Sequence, residues 1–295
     1  MPVWFFRHGF GVEPLSAEEI RRAVQFALAE DIGRGDVTTL ATVPENAAAT
    51  GLMRAREPLV VAGLAFAEAA FRELSAEVKI VCSAEDGQRI TPETPLLRVT
   101  GSARALLGAE RVALNFVQRL SGVATLTAQF VEAVKGTRAQ ILDTRKTTPG
   151  WRRLEKYAVR CGGGRNHRLG LFDMVLIKDN HLAMLKTEPP NPIAAAVARA
   201  RAQYPHLQVE VEADTLEQVD QALAAGANLI LLDNMNPVQL RLAVQKAKGR
   251  AQTEASGGVS LAAVRAIAET GVDFVSVGAL THSARAVDVG LDFEP

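Results

Sequence analysis

Residues 207–278 read LQVEVEADTLEQVDQALAAGANLILLDNMNPVQLRLAVQKAKGRAQTEASGGVSLAAVRAIAETGVDFVSVG, and the repeat within them decides the fold. Short apolar runs of strand type, LQVEVE, NLILLD and DFVSVG, alternate with segments whose apolar residues fall at helical spacing. That alternation is how parallel strands with helices outside them are written. Glu212 ends the first run, Asp233 the second, and Glu254 sits at the end of RAQTE, so an acid recurs every 21 residues. Units of constant length are expected to bring the carboxyl ends of successive strands to one level, the rim where such folds keep their chemistry. With AQILD (139–143) and DMVLI (173–177) added, the strands number roughly six or seven, fewer than the eight of a closed barrel.

Upstream the pattern changes. SAEE (16–19) offers an N-cap with Glu19 three residues later, and Ile20, Val24, Phe26, Ala27 and Leu28 supply the apolar face of a helix that should stop between Asp31 and Gly33. EDIGRGDVTT (30–39) is acidic and punctuated by glycine, and fits either a loop at the edge of a site or a plain turn. From Ala48 to Thr100 the runs ATGLMRAR, PLVVAG, VKIVCS and PLLRVTG are strand-like around one helix, LAFAEAAFREL, without a crossover pattern. A long helical region follows from Ser102 to Val134, expected to break near Ser121 and Gly122. Its polar stripe of Arg104, Arg111, Asn115 and Gln118 reads, taken alone, as a solvated face. The expected organisation is an amino-terminal α+β domain over residues 1–118, an incomplete parallel α/β barrel over 119–283, and a tail, 284–295, free to return to the first domain. Residues 1–14 lack periodicity and read as an arm.

A chain of 295 residues, 48% hydrophobic, can bury a large core. Its 33 basic and 33 acidic residues cancel, so no global field recruits nucleic acid or an anionic membrane. Apolar runs such as LILL (229–232) fall far short of the roughly 20 residues of a membrane span, and MPVWFFRHGF is too short for a secretory leader, so a cytoplasmic protein is expected. Cys82 and Cys161 form no CxxC and are not expected to pair. Cys161, beside a triple glycine, reads as a small buried thiol rather than a nucleophile.

The chemistry concentrates in DTRKTTPGWRRLEKYAVRCGGGRNHRLGLFDMVLIKDNH (143–181), where cations follow apolar runs: Arg145 and Lys146, then His167 and Arg168, then Lys178. Arginine offers a carboxylate a planar fork of donors, and lysine offers phosphate a point charge. Glu212 and Asp233, with Glu210 on the same strand face as Glu212, face the same mouth. Carboxylates beside a phosphate pocket hold Mg²⁺ or sugar hydroxyls; salt bridges to the facing lysines are the plainer alternative. ASGGVS (255–260) and SVGALTHS (276–283) are glycine turns after strands, placed to give backbone N–H groups to phosphate. The combined ligand carries carboxylates at one end, a metal-bound polyphosphate or diol in the middle, and a phosphomonoester beyond.

DTRKTTPG, YAVRCGGGRNHR, LIKDNH, LLDN, EASGG and SVGALT, in this order, closely resemble the quinolinate phosphoribosyltransferase family, and DIGRGDVTT and GAERVALNFVQRLSGVAT extend the likeness from about Glu30 onward. The resemblance implies an α/β-sandwich domain followed by an incomplete parallel α/β barrel. It also implies phosphoribosyl transfer from phosphoribosyl pyrophosphate to quinolinate with decarboxylation, giving nicotinate mononucleotide, pyrophosphate and CO₂ for NAD biosynthesis. By the same likeness the enzyme is a homodimer with a shared site, and Arg111 reaches the neighbouring subunit's quinolinate. Arg145, His167, Arg168 and Lys178 would surround the quinolinate carboxylates, with Lys146 and Lys178 near the phosphoribosyl pyrophosphate. Glu212 and Asp233 would stand at the ribose and its Mg²⁺, directly or through water, and Ser256, Gly257 and Gly278 at the 5-phosphate. Asn180 and Asn234 would lie close by. Lys146 or a water would return a proton after decarboxylation. Two rivals keep part of this set: a relative associated with molybdenum transport that uses another acceptor, and a non-catalytic phosphosugar-binding regulator.

Overall fold

The computed structural model describes residues 14–294; most of the arm read at residues 1–14 lies outside them. Helix α1 (Ala17–Ile32) starts where its cap demands: Ser16 Oγ accepts from Glu19 N at 3.2 Å, and Glu19 accepts from Ser16 N at 2.9 Å. Gly33, at φ +53°, ends it. Val24 and Leu28, one turn apart, are buried, but Phe26 is 76% exposed. It lies about 200° round the helix from Val24 and cannot share that face. Asp36 then caps α2 (Val37–Thr42) by accepting from Thr39 N at 3.0 Å, so EDIGRGDVTT is a helix end, a turn and a helix start.

The chain continues through β1 (Ala48–Ala55), β2 (Leu59–Val60), α3 (Leu64–Leu74), β3 (Lys79–Cys82), β4 (Arg89–Ile90) and β5 (Pro95–Ser102). Helix α4 (Ala103–Ala133) runs 31 residues without the break expected at Ser121 and Gly122. Those small residues serve close packing instead. Ser121 Oγ accepts from Ala62 N at 2.9 Å, and a Cβ on Gly122 would lie 2.0 Å from the Arg285 carbonyl oxygen. The remaining elements alternate: β6 (Gln140–Leu142), α5 (Arg152–Cys161), β7 (Val175–Ile177), α6 (Asp179–Ala183), α7 (Pro192–Gln203), β8 (Val209–Ala213), α8 (Leu216–Ala224), β9 (Leu229–Asp233), α9 (Pro237–Ala247), β10 (Gln252–Ser256), α10 (Val264–Ala268), β11 (Phe274–Ser276), α11 (Ala279–His282) and β12 (Val289–Glu294).

These elements form two compact units. The first gathers residues 14–128, Thr148–Gly163 and 283–294, so α5 belongs to it, and the division does not follow a single cut at 118. Its four-stranded sheet has the order β12-β1-β5-β3, antiparallel throughout, with Thr50 opposite Glu294 and Ala55 opposite Val289. Phe66, Phe116 and Trp151 stack in sequence at 4.9 and 5.1 Å between centroids.

The second unit, Gln129–Thr147 with Gly164–His282, holds a six-stranded parallel sheet in the order β6-β11-β10-β9-β8-β7. Arg165 adds a parallel bridge beside Leu142. The unit is an incomplete parallel α/β barrel, and Leu142, Leu229 and Phe274 form an apolar cluster in its core. Its register corrects the expectation of one acidic level. Glu212 and Glu254 both pair with Leu231, whereas Asp233 pairs with Ser256, two residues further along. Equal spacing in sequence therefore gives unequal height, because β10 continues past Glu254 to Ser256 and leaves Glu254 inside the strand. Among the described residues no helix is long and apolar enough to cross a membrane.

Candidate active site

The cations and carboxylates of the barrel unit emerge at the carboxyl ends of its strands. Lys178 follows β7 directly, and its Nζ donates to Glu212 Oε2, on β8, at 2.7 Å. The plainer reading of these two residues, a salt bridge, is thus realised. On β9, Asp233 accepts from Asn234 Nδ2 at 2.6 Å. Its carboxyl is held above the usual aspartate range by burial first, then by Glu212 and Asp214, with Lys178 and Asn234 opposing. The Asp233 carboxylate thus feels Glu212, Asp214 and Lys178 together.

Asn234 is one of two non-glycine residues at positive φ among the described residues, at +52°, and its N–H donates to Ser256 O at 3.0 Å. This folds the chain after β9 onto the first glycine turn. A Cβ on Gly257 would lie 2.2 Å from Asn234 Oδ1 and 2.9 Å from its backbone nitrogen, and Gly257 itself sits at φ +98°. Only glycine fits there. Helix α10 begins at Val264, well after Ser256, so this turn opens no helix directly and any phosphate would meet loop N–H groups. Gly278 precedes the four-residue α11. A Cβ at Gly278 would stand 3.1 Å from both Lys146 Cδ and His282 Nε2, so its bareness lets the Lys146 stem pass. Thr281 Oγ1 donates to Lys146 O at 2.6 Å and fastens the DTRK loop to α11, while the Lys146 side chain remains exposed.

Arg168 is half-buried and donates Nη1 to Met174 O at 3.1 Å. Burial lowers its pKa, and the charge of Arg145 lowers it further. His167 does not join them at the mouth. It is 7% exposed and turned into the barrel, with Nε2 3.1 Å from Glu210 Oε2 and 3.4 Å from Glu254 Oε2. Glu210 is likewise wholly buried and does not share the mouth with Glu212. Asn180 is exposed on α6, next to Lys178. Arg111 lies on α4 of the antiparallel unit, exposed, with exposed Asn115 one turn on.

Three supporting residues were not among the site residues expected from the sequence, although Glu254 stood in the acidic repeat. Buried Asp143, just after β6, accepts from Asn166 Nδ2 at 2.7 Å and from His167 N at 2.8 Å, fixing the NHR segment; Glu254 and Thr281 are the others. A polar residue closing an apolar run was visible at each strand end, but burial of the acid was not. Cys161 is confirmed as a partly buried thiol: burial, then the charge of Asp86, pushes it up to about 12.

The chain matches the family described as quinolinate phosphoribosyl transferase in both parts, the N-terminal domain over residues 36–121 and the C-terminal domain over 123–292. It is 49% identical over 278 residues to nicotinate-nucleotide pyrophosphorylase (carboxylating) of Mycobacterium leprae, covering 92% of this chain and 96% of that one. It is 39% identical to the probable enzyme of the same name from Bacillus subtilis, covering 93% of each. Among solved structures, NadC from Streptococcus pyogenes superposes with a TM-score of 0.90 at 39% identity, covering 96% of this chain and all of that one. The nicotinate-nucleotide pyrophosphorylase from Francisella tularensis superposes with a TM-score of 0.89 at 39% identity, covering 95% of this chain and 98% of that one. With both parts matched over most of its length, the chain belongs to the quinolinate phosphoribosyl transferases.

Proposed function

We propose that this chain transfers the phosphoribosyl group of phosphoribosyl pyrophosphate to quinolinate and releases pyrophosphate, nicotinate mononucleotide and CO₂, a step of NAD biosynthesis. The observation that carries the reading, beside family membership, is that half-buried Arg168, its pKa already lowered by burial, feels the Arg145 cation, which lowers it further. Two guanidinium charges repel one another, and an acceptor bearing two carboxylates relieves that repulsion. An acceptor with one carboxylate relieves it less.

Glu212 and Asp233 fit a divalent cation. Burial and the charges of Glu212 and Asp214 crowd Asp233, and a cation there removes the crowding that now raises its pKa. Mg²⁺ held by these two, directly or through water, would carry charge on the departing pyrophosphate. Lys178, now on Glu212, is free to swing toward substrate phosphate once a cation takes its place. The quinolinate nitrogen attacks the anomeric carbon as pyrophosphate leaves, and Glu212 and Asp233 stabilise the positive charge that develops on the sugar. The ring nitrogen is then cationic, so the electron pair left when the C2 carboxylate departs as CO₂ is stabilised. A proton from Lys146 or a water completes the product. Ser256, Gly257 and Gly278 line the two turns that would receive the 5-phosphate.

We further propose a homodimer in which Arg111 serves the partner's acceptor. Exposed Arg111 and Asn115, together with the exposed apolar side chains of Phe26, Val37 and Leu40 in the same unit, support a surface that a second copy covers. A cytoplasmic setting suits its two free cysteines.

Comparing acceptors tests the activity. kcat/KM with quinolinate should exceed that with nicotinate by at least about 10³, because the missing carboxylate leaves charged groups unpaired; equal use of both acceptors would sink the reading. Mixing inactive Arg111→Ala and Lys178→Ala subunits should restore turnover through one intact composite site. No restoration, with heterodimers demonstrated, overturns the shared site.

A further inference from the structure

His167, Glu210 and Glu254 form a cluster whose ligating atoms all lie within 4.8 Å of one another, each residue buried. None of the four carboxylate oxygens has a hydrogen-bond partner among the described residues, and the imidazole Nε2 is the charge-bearing group that faces them. Two acids so placed repel each other and lose their hydration, so burial and Glu254 together hold the Glu210 carboxyl well above the usual range. Local stability does not account for such a pair, because isosteric neutral side chains would pack there more comfortably.

A metal ion is the first occupant the residue types suggest, and the ring geometry argues against it. The backbone N–H of Arg168 donates to His167 Nδ1 at 2.7 Å, so the Nδ1 lone pair is in use and the ring proton resides on Nε2. A metal on Nε2 would need that lone pair, with the proton on Nδ1, where it would face another N–H. Two opposed influences act on the ring. Burial opposes a charge there, but Glu254 and Glu210 outweigh it and raise the ring to about 10, while a second proton on Nδ1 would set its N–H against the Arg168 N–H that donates there. The geometry is that of an imidazole whose Nε2 faces two acids, at 3.1 Å from Glu210 Oε2 and 3.4 Å from Glu254 Oε2, and whose Nδ1 accepts from the Arg168 backbone.

From this geometry, and resting on the acceptor reading above, we infer that Glu254 and Glu210 are positioning residues for the acceptor pocket, acting through His167 on Arg168. The acids fix the imidazole; its Nδ1 fixes the Arg168 backbone N–H; Asp143 fixes the His167 N–H and, through its side chain, Asn166. The segment from Asn166 to Arg168 is held from three sides, and the Arg168 guanidinium, steadied by Met174 O, lies in the field of the Arg145 cation. The acids touch neither substrate; they set the direction of the fork that does.

Glu254→Gln and Glu210→Gln separate this from a structural role. Removing one of two repelling acids should leave the thermal midpoint unchanged or raised, while KM for quinolinate rises about tenfold or more and KM for phosphoribosyl pyrophosphate holds, since a misaimed binding group of this kind costs that much. A raised midpoint with an unchanged KM for quinolinate overturns the inference. Should a variant fold poorly, ¹⁵N resonances of His167 in the wild-type protein decide: a protonated Nδ1 overturns the inference, and an Nε2–H tautomer upholds its hydrogen-bond chain. Wild-type protein inert with quinolinate would instead defeat the acceptor reading itself, a separate outcome.

Discussion

Substituting Gly257 by alanine should damage the donor half of the site in a way that the neighbouring Gly258→Ala does not. The new methyl would sit 2.2 Å from Asn234 Oδ1 and 2.6 Å from its Cγ, contacts a side-chain rotation could relieve. It would also sit 2.9 Å from the Asn234 backbone nitrogen, which rotation cannot move. Alanine at φ +98° adds backbone strain of about 1–2 kcal/mol, and overpacking adds about 1–3 kcal/mol. A loss of about 3 kcal/mol corresponds to a fall of roughly 6–12 °C in thermal midpoint for a protein of this size. Because Asn234 Nδ2 holds Asp233, the displacement should also raise KM for phosphoribosyl pyrophosphate while sparing KM for quinolinate. Gly258 has φ +56° and nothing within 4 Å of its added Cβ, so Gly258→Ala should cost only about 1 kcal/mol. Differential scanning calorimetry and initial-rate kinetics on the two variants give both readouts. Equal melting and equal KM in the pair would refute the proposed link between this turn and Asp233.

Gly122→Ala should destabilise the protein by at least about 3 kcal/mol in urea titrations, since its methyl meets the Arg285 carbonyl oxygen at 2.0 Å; a neutral result would mean α4 is interrupted after all. Glu19 is held down to about 2 by Arg153 and then Ser16, against an ordinary value of 4.5, so its contribution is complete above pH 4.5 and disappears as pH falls toward 2. Glu19→Gln should therefore be less stable than wild type by about 1 kcal/mol at pH 7, with the gap closing in acid; a gap that widens in acid contradicts the capping pair. With its thiol pushed up to about 12, Cys161 should resist iodoacetamide at pH near neutrality, and Cys161→Ala should turn over like wild type; loss of turnover on alkylation would reopen a nucleophilic role.

The parts legible in the sequence are those with a local physical cause. Ser16 and Glu19 announced α1 because a capping box is satisfied within four residues. The alternation of strand and helix announced the parallel sheet, because each strand buried on both faces must be apolar. What failed depended on partners distant in sequence. Gly122 looked like a helix break until the Arg285 carbonyl was found against it. Phe26 was assigned to the core by its type, although its angle around α1 turns it outward. The even spacing of Glu212, Asp233 and Glu254 suggested one level, whereas strand register sets Asp233 two residues beyond the other two, and Glu254 is buried against His167. His167 showed the same limit. Its place in a run of cations suggested a role beside them, and only the buried acids on β8 and β10 reveal that it faces the other way.

The most direct test is a single-turnover reaction with quinolinate labelled in its C2 carboxylate, run with phosphoribosyl pyrophosphate and either Mg²⁺ or a chelator. The expected result is one CO₂ and one pyrophosphate for each nicotinate mononucleotide formed, with formation abolished by the chelator. CO₂ without nucleotide, nucleotide that retains the label, or no product at high enzyme concentration would contradict it.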